Sequence, residues 1–358
     1  MTNVRESPLK PARAGRVGGA LAIALAALAA LAPLPPAWVE GVYSRGLYPR
    51  LQPVVSSVSA LAPVALFDVA VALLLGAAVI LIARRWRADG FLRALRRTAP
   101  AAAVTAAILY LWFLIFWGFN YRRVPLEQKL AYDATRITRD HALELARLAV
   151  GRANETVERA RASTLEEDTL LSALRAVQSA LRGSPLASAP EPKRSLLSLY
   201  FRRAAIDGMT DPFFLEIIVN PDVLASERPF VLAHEWAHVA GYADESEANF
   251  IAWLTCLRAS PAAQYSAWLA AYQHIASGLP SADRRELAAA VSPAVRADLI
   301  AERERFNRSS PRVRAAARGA YDTYLRANRI EEGIANYNAV VRLMLGVPLD
   351  AEWNPRLR

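Results

Sequence analysis

Two histidines four residues apart, His234 and His238, enclose a glutamate in the run HEWAH. On a helix, residues four apart lie on one face, so both imidazoles can reach the same zinc ion. Glu235 follows the first histidine and can act as general base toward a zinc-activated water. This HExxH pattern is typical of zinc metallopeptidases.

The residues around the motif predict the helix that this chemistry requires. Ser226 can cap the helix, Pro229 falls within its first turn, and Gly241 is a natural stop. The apolar run between Pro229 and Gly241 is short and has charged residues at both ends, so it cannot span a membrane. We therefore expect the motif in a soluble part of the chain.

A closed zinc site needs a third protein ligand, and three carboxylates follow Gly241. Asp244 completes HExxHxxGxxD, the spacing of the metzincin third ligand, with Asp where His is usual. However, Asp244 and Glu247 also form a D-x-x-E capping box at the start of a second helix. Glu245 is free of that task and lies four residues before Asn249, which could hydrogen-bond to it. Glu245 is therefore the favoured ligand, with Glu247 and Asp244 as alternatives.

Composition limits the other chemistries open to the chain. Of 358 residues only Cys256 is a cysteine, which excludes an internal disulfide framework and a zinc ribbon. The net charge of +10 is uneven: residues 1–120 hold 12 Lys and Arg against 4 Asp and Glu, whereas residues 121–358 hold 31 against 29. The basic excess belongs to the apolar part, so no nucleic-acid binding is expected.

The first 120 residues predict a membrane domain. Segments at about 17–39, 62–83 and 98–120 are each long enough to cross a hydrocarbon core of about 30 Å. Six arginines lie between the second and third spans against two in the first loop, which predicts a cytoplasmic amino terminus. Residues 121–358 then form an extracytoplasmic domain at the inner membrane. Asp68, the one acidic residue in a span, is predicted to have a solvated or paired structural role.

Helical periodicity dominates residues 121–358. The predicted helices are 138–152, 165–182, 262–277, 293–306, 311–327 and 333–345. The best strand candidate is Phe213 to Asn220, which we expect to hold an extended peptide as an added edge strand. Tyr337 and Tyr242 are candidates for stabilising an oxyanion, although a place in the core is favoured for both.

Several motifs together resemble domain-of-unknown-function family 3810, a family of bacterial membrane proteins with an HExxH motif. They are the run Trp117-Gly118-Phe119-Asn120-Tyr121-Arg122-Arg123, the segment Asp211 to Glu216, Pro229-Phe230 through HEWAHVAG, Glu245-Ser246-Glu247-Ala248-Asn249-Phe250, and the tail Tyr324 to Val341. The resemblance covers most of the chain from the third span onward. It implies a membrane-anchored, zincin-like protein and brings no substrate with it, because the family is functionally uncharacterised.

The expected fold is mostly α, with three transmembrane helices before a zincin-like, predominantly helical metallopeptidase domain of minor β content. The expected function is a membrane-anchored zinc metallohydrolase, a peptidase with His234, His238 and Glu245 as zinc ligands and Glu235 as general base. Its partners would be the lipid bilayer and a peptide or protein substrate at the outer membrane face. The alternative is a non-catalytic envelope protein with a structural or vestigial zinc site. Glu235 counts against that alternative, because a structural site needs the histidines and not the base.

Overall fold

Helices dominate the computed structural model, which describes residues 11–330 and 339–358. The α-helices in chain order are α1 (Pro11–Leu31), α2 (Pro36–Trp38), α3 (Tyr48–Ala60), α4 (Leu66–Asp89), α5 (Phe91–Phe116), α6 (Leu126–Lys129), α7 (Arg139–Arg161), α8 (Glu167–Ala180), α9 (Ser198–Ala204), α10 (Arg228–Val239), α11 (Glu245–Leu257), α12 (Pro261–Gly278), α13 (Ser281–Ala290), α14 (Pro293–Asn307), α15 (Pro311–Ala327) and α16 (Val340–Gly346). A π-helix at Val39–Leu47 and short 3₁₀-helices at Gly118–Arg122 and Ala134–Arg136 lie between them. The described residues hold one antiparallel pair of strands, β1 (Gly208–Asp211) and β2 (Glu216–Val219). The predicted mostly helical fold with little β structure is confirmed.

Two described helices are long and apolar enough to cross a membrane, Leu66–Ala88 in α4 and Phe91–Phe116, which is α5. They correspond to the second and third predicted spans. Only Gly90 separates α4 from α5, and its φ of 82° is a left-handed conformation that glycine adopts without strain. The arginine-rich segment expected as a loop is therefore helical on both sides of a tight hairpin tip.

The first predicted span is not one continuous helix. α1 ends at Leu31, and the chain turns by 112° before the helices between Pro36 and Ala60. Prolines at 33, 35 and 36 explain the break, because proline lacks a backbone N–H and disfavours the helical conformation of the residue before it. The described residues thus provide two helices that are long and apolar enough to span a membrane, or three spans if the bent pair counts as one.

The carboxy-terminal half packs around a core of α7, α8, α10, α11 and α12. α11 lies at its centre, since every residue from Glu245 to Leu257 is buried. The helices predicted in this half are confirmed, and α7 continues to Arg161, beyond its predicted end at 152. The helix predicted at 333–345 lies partly outside the described residues, and its remainder belongs to α16.

The predicted strand at Phe213 to Asn220 is shorter than expected. Its first three residues form a turn, in which the Asp211 carboxylate accepts the backbone N–H groups of Phe213 and Phe214. The turn contains apolar residues because Phe213 and Leu215 belong to an apolar cluster that includes residues of α5. The apolar run therefore reflects a contact between the two halves of the chain and only partly a strand.

β2 is not the edge of the sheet, which makes the predicted docking strand wrong. β1 pairs with one side of β2, and on the other side the Lys193 N–H donates to the Ile217 carbonyl at 2.9 Å. β2 is buried at all four positions, whereas β1 is only partly buried and has β2 as its one strand neighbour among the described residues. The open edge belongs to β1.

The two long apolar helices and the carboxy-terminal half share polar contacts as well as an apolar cluster. Buried Glu216 accepts the backbone N–H groups of Leu66 at 3.1 Å and Phe67 at 3.3 Å, which caps the start of α4. Asp68, in the first turn of α4, accepts the Ser195 hydroxyl at 2.9 Å and the Leu196 N–H at 2.7 Å. Asp68 is thus paired in a structural role, as predicted.

Candidate metal centre

α10 carries the HExxH motif and begins at Arg228, with Pro229 in its first turn. Glu227 occupies the capping position, so Ser226 is not the cap that the sequence predicted. Gly241 has a φ of 88° and reverses the chain after the helix, as predicted. A side chain there would be strained by that φ and would lie 3.1 Å from the Asn120 Oδ1.

Tyr48, at the start of α3, and Trp117, directly after α5, hold the end of α10. The Tyr48 hydroxyl donates to the Val239 carbonyl at 2.6 Å, and Trp117 Nε1–H donates to the His238 carbonyl at 3.0 Å. The last carbonyls of a helix lack their usual helical partners, and the Tyr48 hydroxyl satisfies the Val239 carbonyl. The His238 carbonyl also accepts the Gly241 N–H at 2.9 Å, so Trp117 is an additional donor to it. The two side chains also fix the backbone on which His238 stands.

His234, His238 and Glu245 come together between α10 and α11. Glu245 Oε2 lies 3.2 Å from His234 Nε2 and 3.5 Å from His238 Nε2, and the two Nε2 atoms are 3.0 Å apart. His238 and Glu245 are buried, whereas the His234 side chain is 13% exposed and leaves the cluster open on one side. Of the three carboxylates weighed from the sequence, Glu245 is the one beside the histidines.

The dimensions of this cluster fit a zinc ion. A tetrahedral site with bonds of about 2.0–2.1 Å has edges of about 3.3–3.4 Å. The observed separations of 3.0, 3.2 and 3.5 Å are close to that value. Glu245 Oε2 is also buried without a hydrogen-bond partner among the described residues, although an unsatisfied buried group costs about 1–3 kcal/mol. A cation held by the three side chains would satisfy that oxygen.

The contacts of His238 orient its ring so that Nε2 faces the cluster. Its Nδ1 lies 2.7 Å from the Tyr242 carbonyl, which can only accept, so Nδ1 carries a proton and Nε2 faces the cluster. A bound cation would displace a proton from Nε2 and take its lone pair. Burial opposes a charge on the ring, but the Glu245 carboxylate outweighs burial and raises the pKa of His238 to about 9. Burial alone would raise the pKa of Glu245, yet the two imidazoles lower it far below its usual range. The site therefore favours a cation next to the Glu245 carboxylate.

Glu235 lies beside the three grouped side chains and faces β1. Its Oε2 accepts the Thr210 hydroxyl at 2.7 Å, and a Cβ on Gly208 would collide with its Oε1. Burial raises the pKa of Glu235, and the charges of His234 and His238 partly oppose that effect. A buried carboxylate with a raised pKa is suited to accept and return a proton near neutral pH.

Asp244 caps α11, but Glu247 does not form its half of the predicted capping box. Asp244 Oδ1 accepts the backbone N–H groups of Ser246 at 2.9 Å and Glu247 at 3.1 Å, so the predicted cap of α11 is confirmed. Glu247 does not reach back to its own helix and instead accepts the Leu126 N–H. Burial raises the pKa of Glu247 to about 7, with the nearby Asp244 adding to the effect.

The outer partner of Glu245 is Tyr321, and the prediction of Asn249 was wrong. The Tyr321 hydroxyl on α15 donates to Glu245 Oε1, whereas the Asn249 Nδ2 is buried with no partner in the described part of the chain. Tyr321 stacks on Tyr324 with ring centroids 5.7 Å apart. No sequence spacing pointed to Tyr321, because α15 approaches the cluster only through the tertiary fold.

The two tyrosines proposed from the sequence for an oxyanion have different outcomes. Tyr242 contributes its backbone carbonyl to the site, while its ring packs under the Arg123 guanidinium at 4.6 Å. The ring is buried, in keeping with the favoured core position. Tyr337 lies outside the described residues.

Residues 43–345 match the family described as "Protein of unknown function (DUF3810)". The chain belongs to DUF3810. The match to DUF3810 confirms the resemblance seen in the motifs and contains every residue of the cluster, together with Tyr321. No curated protein and no solved structure matches the chain.

Proposed function

We propose that this DUF3810 chain is a membrane-anchored zinc metallohydrolase, a peptidase with a zincin-like domain. The observation that carries the proposal is the convergence of His234 Nε2, His238 Nε2 and Glu245 Oε2 beside the buried carboxylate of Glu235. Zinc bound by the three side chains would supply Lewis-acid activation of water and of a substrate carbonyl.

The residues of the chain account for the proton transfers of peptide hydrolysis. Glu235 takes a proton from the attacking water and passes it to the leaving amine. The Thr210 hydroxyl orients Glu235 by its bond to Oε2, and the Tyr242 carbonyl orients His238. Tyr321 binds Glu245 Oε1 and so leaves Oε2 directed at the histidines. Glu235, His238 and Glu245 thus each have a partner that fixes their orientation, whereas the His234 Nδ1 is buried without a hydrogen-bond partner among the described residues.

β1 is the proposed binding strand for an extended peptide. Its open edge can pair with a substrate backbone, which lets one site accept varied sequences. Gly208 and Thr210 lie directly against Glu235, so a peptide paired with β1 would pass close to the base. Because any side chain at position 208 would collide with Glu235, the glycine allows this close approach of the backbone.

We place the site at the outer face of the inner membrane, with the amino terminus in the cytoplasm. The arginines at 84, 85, 87, 93, 96 and 97 surround Gly90 at the tip of the α4 and α5 hairpin. The positive-inside rule favours a cytoplasmic location for that tip. The opposite end of α5 leads into Trp117, which contacts His238, so the metal centre falls on the other side of the bilayer.

Metal analysis and hydrolysis by the purified full-length chain test the proposal. We expect about one zinc per chain, lost in His234→Ala and retained in His141→Ala, which removes a half-buried histidine outside the cluster. A quenched fluorescent peptide library should be cleaved by the wild type. Glu235→Gln should retain zinc and lose at least about 100-fold in turnover, whereas Glu304→Gln, on the exposed face of α14, should be unaffected. Absence of zinc, or full turnover by Glu235→Gln, would refute the mechanism.

A further inference from the structure

Exposed apolar side chains cluster at the start of α9. The exposed fractions of Leu196, Leu199 and Tyr200 are 83%, 58% and 42%. Large apolar residues grouped in this way on a surface commonly mark a contact with a partner or a membrane. The residues that contact this segment distinguish a protein partner from a membrane.

The segment lies against the first turn of a spanning helix. The Leu196 N–H and the Ser195 hydroxyl donate to Asp68, only two residues after the start of α4 at Leu66. α4 is apolar from Leu66 onward, so its first turn marks the boundary of the hydrocarbon region. Leu196 is therefore held at the membrane boundary.

Basic residues follow one turn along the same face of α9. Arg202 and Arg203 come three and four residues after Leu199, which places them on its side of the helix. Four residues of α-helix rise about 6 Å. The polar layer on each side of the hydrocarbon core is about 5–8 Å thick, so arginines this close to the membrane boundary are within reach of the lipid headgroups.

These arginines line a cavity of about 200 Å³. Its lining residues are Arg202, Arg203, Ala205, Asn220, Asp222, Arg305 and Arg308. Four guanidinium groups thus face one carboxylate within the lining.

The charges of the cavity are only partly balanced. Arg202 pairs with Asp222 at 3.1 Å, and Arg305 pairs with two carboxylates just outside the lining. The side chains of Arg203 and Arg308 are exposed and have no carboxylate partner among the residues described. Arg305 is nine-tenths buried, and its Nε–H donor is unpaired in the described structure. A buried donor without a partner, next to two unpaired cations, points to an anionic ligand.

We propose that this region binds the phosphate of an anionic phospholipid. The α9 surface, defined as Leu196, Leu199, Tyr200, Arg203 and Arg308, places its apolar side chains among the acyl chains and its arginines around the headgroup. Bidentate hydrogen bonding by guanidinium suits phosphate oxygens. This lipid site is separate from the metal centre and requires only that α4 crosses the bilayer.

Native mass spectrometry of the full-length chain in detergent tests the headgroup site. With dioleoyl phosphatidylglycerol and dioleoyl phosphatidylcholine at equal concentration, we expect the anionic lipid to bind at least about tenfold more tightly. Arg203→Gln combined with Arg308→Gln should remove that preference. The matched control, Arg303→Gln with Arg312→Gln, removes two exposed arginines of α14 and α15 outside the cavity and should retain it.

Two results of this experiment would overturn the proposal. One is an equal loss of preference in both double variants, which would reduce the effect to general surface charge. The other is displacement of the lipid by glycerol 3-phosphate at equal concentration, which would make the ligand a soluble phosphate. All four positions are exposed, so folding should be retained, and an unchanged melting temperature checks this.

Fluorescent labelling tests the apolar part of the α9 surface. Leu199→Cys carries an environment-sensitive dye, and native Cys256 is fully buried and unreactive. In lipid nanodiscs we expect quenching by a spin label on the acyl chain and protection from aqueous iodide. Ala289→Cys, on the exposed face of α13, should show the reverse. Iodide quenching at position 199 as strong as at 289 would overturn membrane insertion.

Discussion

Tyr321 donates a hydrogen bond to Oε1 of Glu245 across 76 residues of sequence. Its phenol fixes the carboxylate whose other oxygen faces both histidines, so the two helices α11 and α15 jointly set the geometry of the cluster.

Tyr321→Phe should weaken zinc binding by about 10- to 100-fold, because it removes the partner that orients a proposed ligand. Chelator competition on the purified full-length protein measures the affinity. Tyr324→Phe is the matched control, since Tyr324 lies on the same helix and its hydroxyl is 3.3 Å from that of Tyr121. Equal affinity in wild type and Tyr321→Phe would remove Tyr321 from the site.

Glu245→Ala and Asp244→Ala should differ in their effects on zinc binding and on the free energy of unfolding. Glu245→Ala removes a proposed ligand and should abolish stoichiometric zinc binding. Asp244→Ala removes the cap of α11 and should lower the free energy of unfolding by about 1 kcal/mol with zinc retained. Zinc content and thermal unfolding of the two variants distinguish the roles, and the reverse pattern would make Asp244 the ligand.

Thr210→Val should reduce turnover with zinc content unchanged. The hydroxyl that holds Glu235 Oε2 is lost while the volume of the side chain is kept, so we expect a fall in kcat of about tenfold. Thr210→Ser restores the hydroxyl and should recover most of the activity. A Thr210→Ser variant as slow as Thr210→Val would show that shape at this position matters more than the hydrogen bond.

Glu302→Gln should stabilise the protein at high pH only. Burial, reinforced by the Glu227 carboxylate, raises the pKa of Glu302 to about 8 from an ordinary value of 4.5. The protonated residue therefore favours the folded state, and this contribution is complete below about pH 4.5 and lost as the pH rises through 8.

The Glu302→Gln variant should thus match the wild type near pH 5 and exceed its free energy of unfolding by about 2–4 kcal/mol at pH 9. Melting temperatures at the two pH values measure the difference. Glu304→Gln, an exposed neighbour on α14, should show no such pH dependence. A stabilisation equal at both pH values would contradict the assignment.

Alkaline phosphatase fused after Arg358 should be active, because the arginines around Gly90 favour a cytoplasmic hairpin tip. A reporter that is active only in the cytoplasm should be silent at the same position. The opposite pair of results would invert the proposed topology.

The features predicted correctly from the sequence are those that depend on local spacing. Four residues of helix bring His234 and His238 to one face, and the cap at Asp244 left Glu245 free to approach them. Hydropathy likewise identified α4 and α5, whose apolar character depends only on composition.

The features that sequence reasoning missed depend on tertiary packing. Tyr321 reaches Glu245 because the tertiary fold brings one residue of α15 within hydrogen-bond distance of α11, and no periodicity within α15 encodes that neighbour. The prolines after Leu31 indicate where α1 ends, yet they do not give the 112° change of direction. The apolar run that begins at Phe213 resembled a longer strand because Phe213 is apolar for another reason, its packing against α5.

Because Tyr48 and Trp117 donate hydrogen bonds to the end of α10, the detergent used in purification affects the backbone at the candidate metal centre. A detergent that lets these two side chains move away frees the Val239 carbonyl and removes one donor from the His238 carbonyl, which keeps the Gly241 N–H. His238 is then held less firmly, although every proposed ligand residue is intact. A fragment cut after Asn120 lacks both donors altogether. The proposed zinc binding and hydrolysis should therefore be measured in nanodiscs, because micelles or such a fragment would perturb the candidate site.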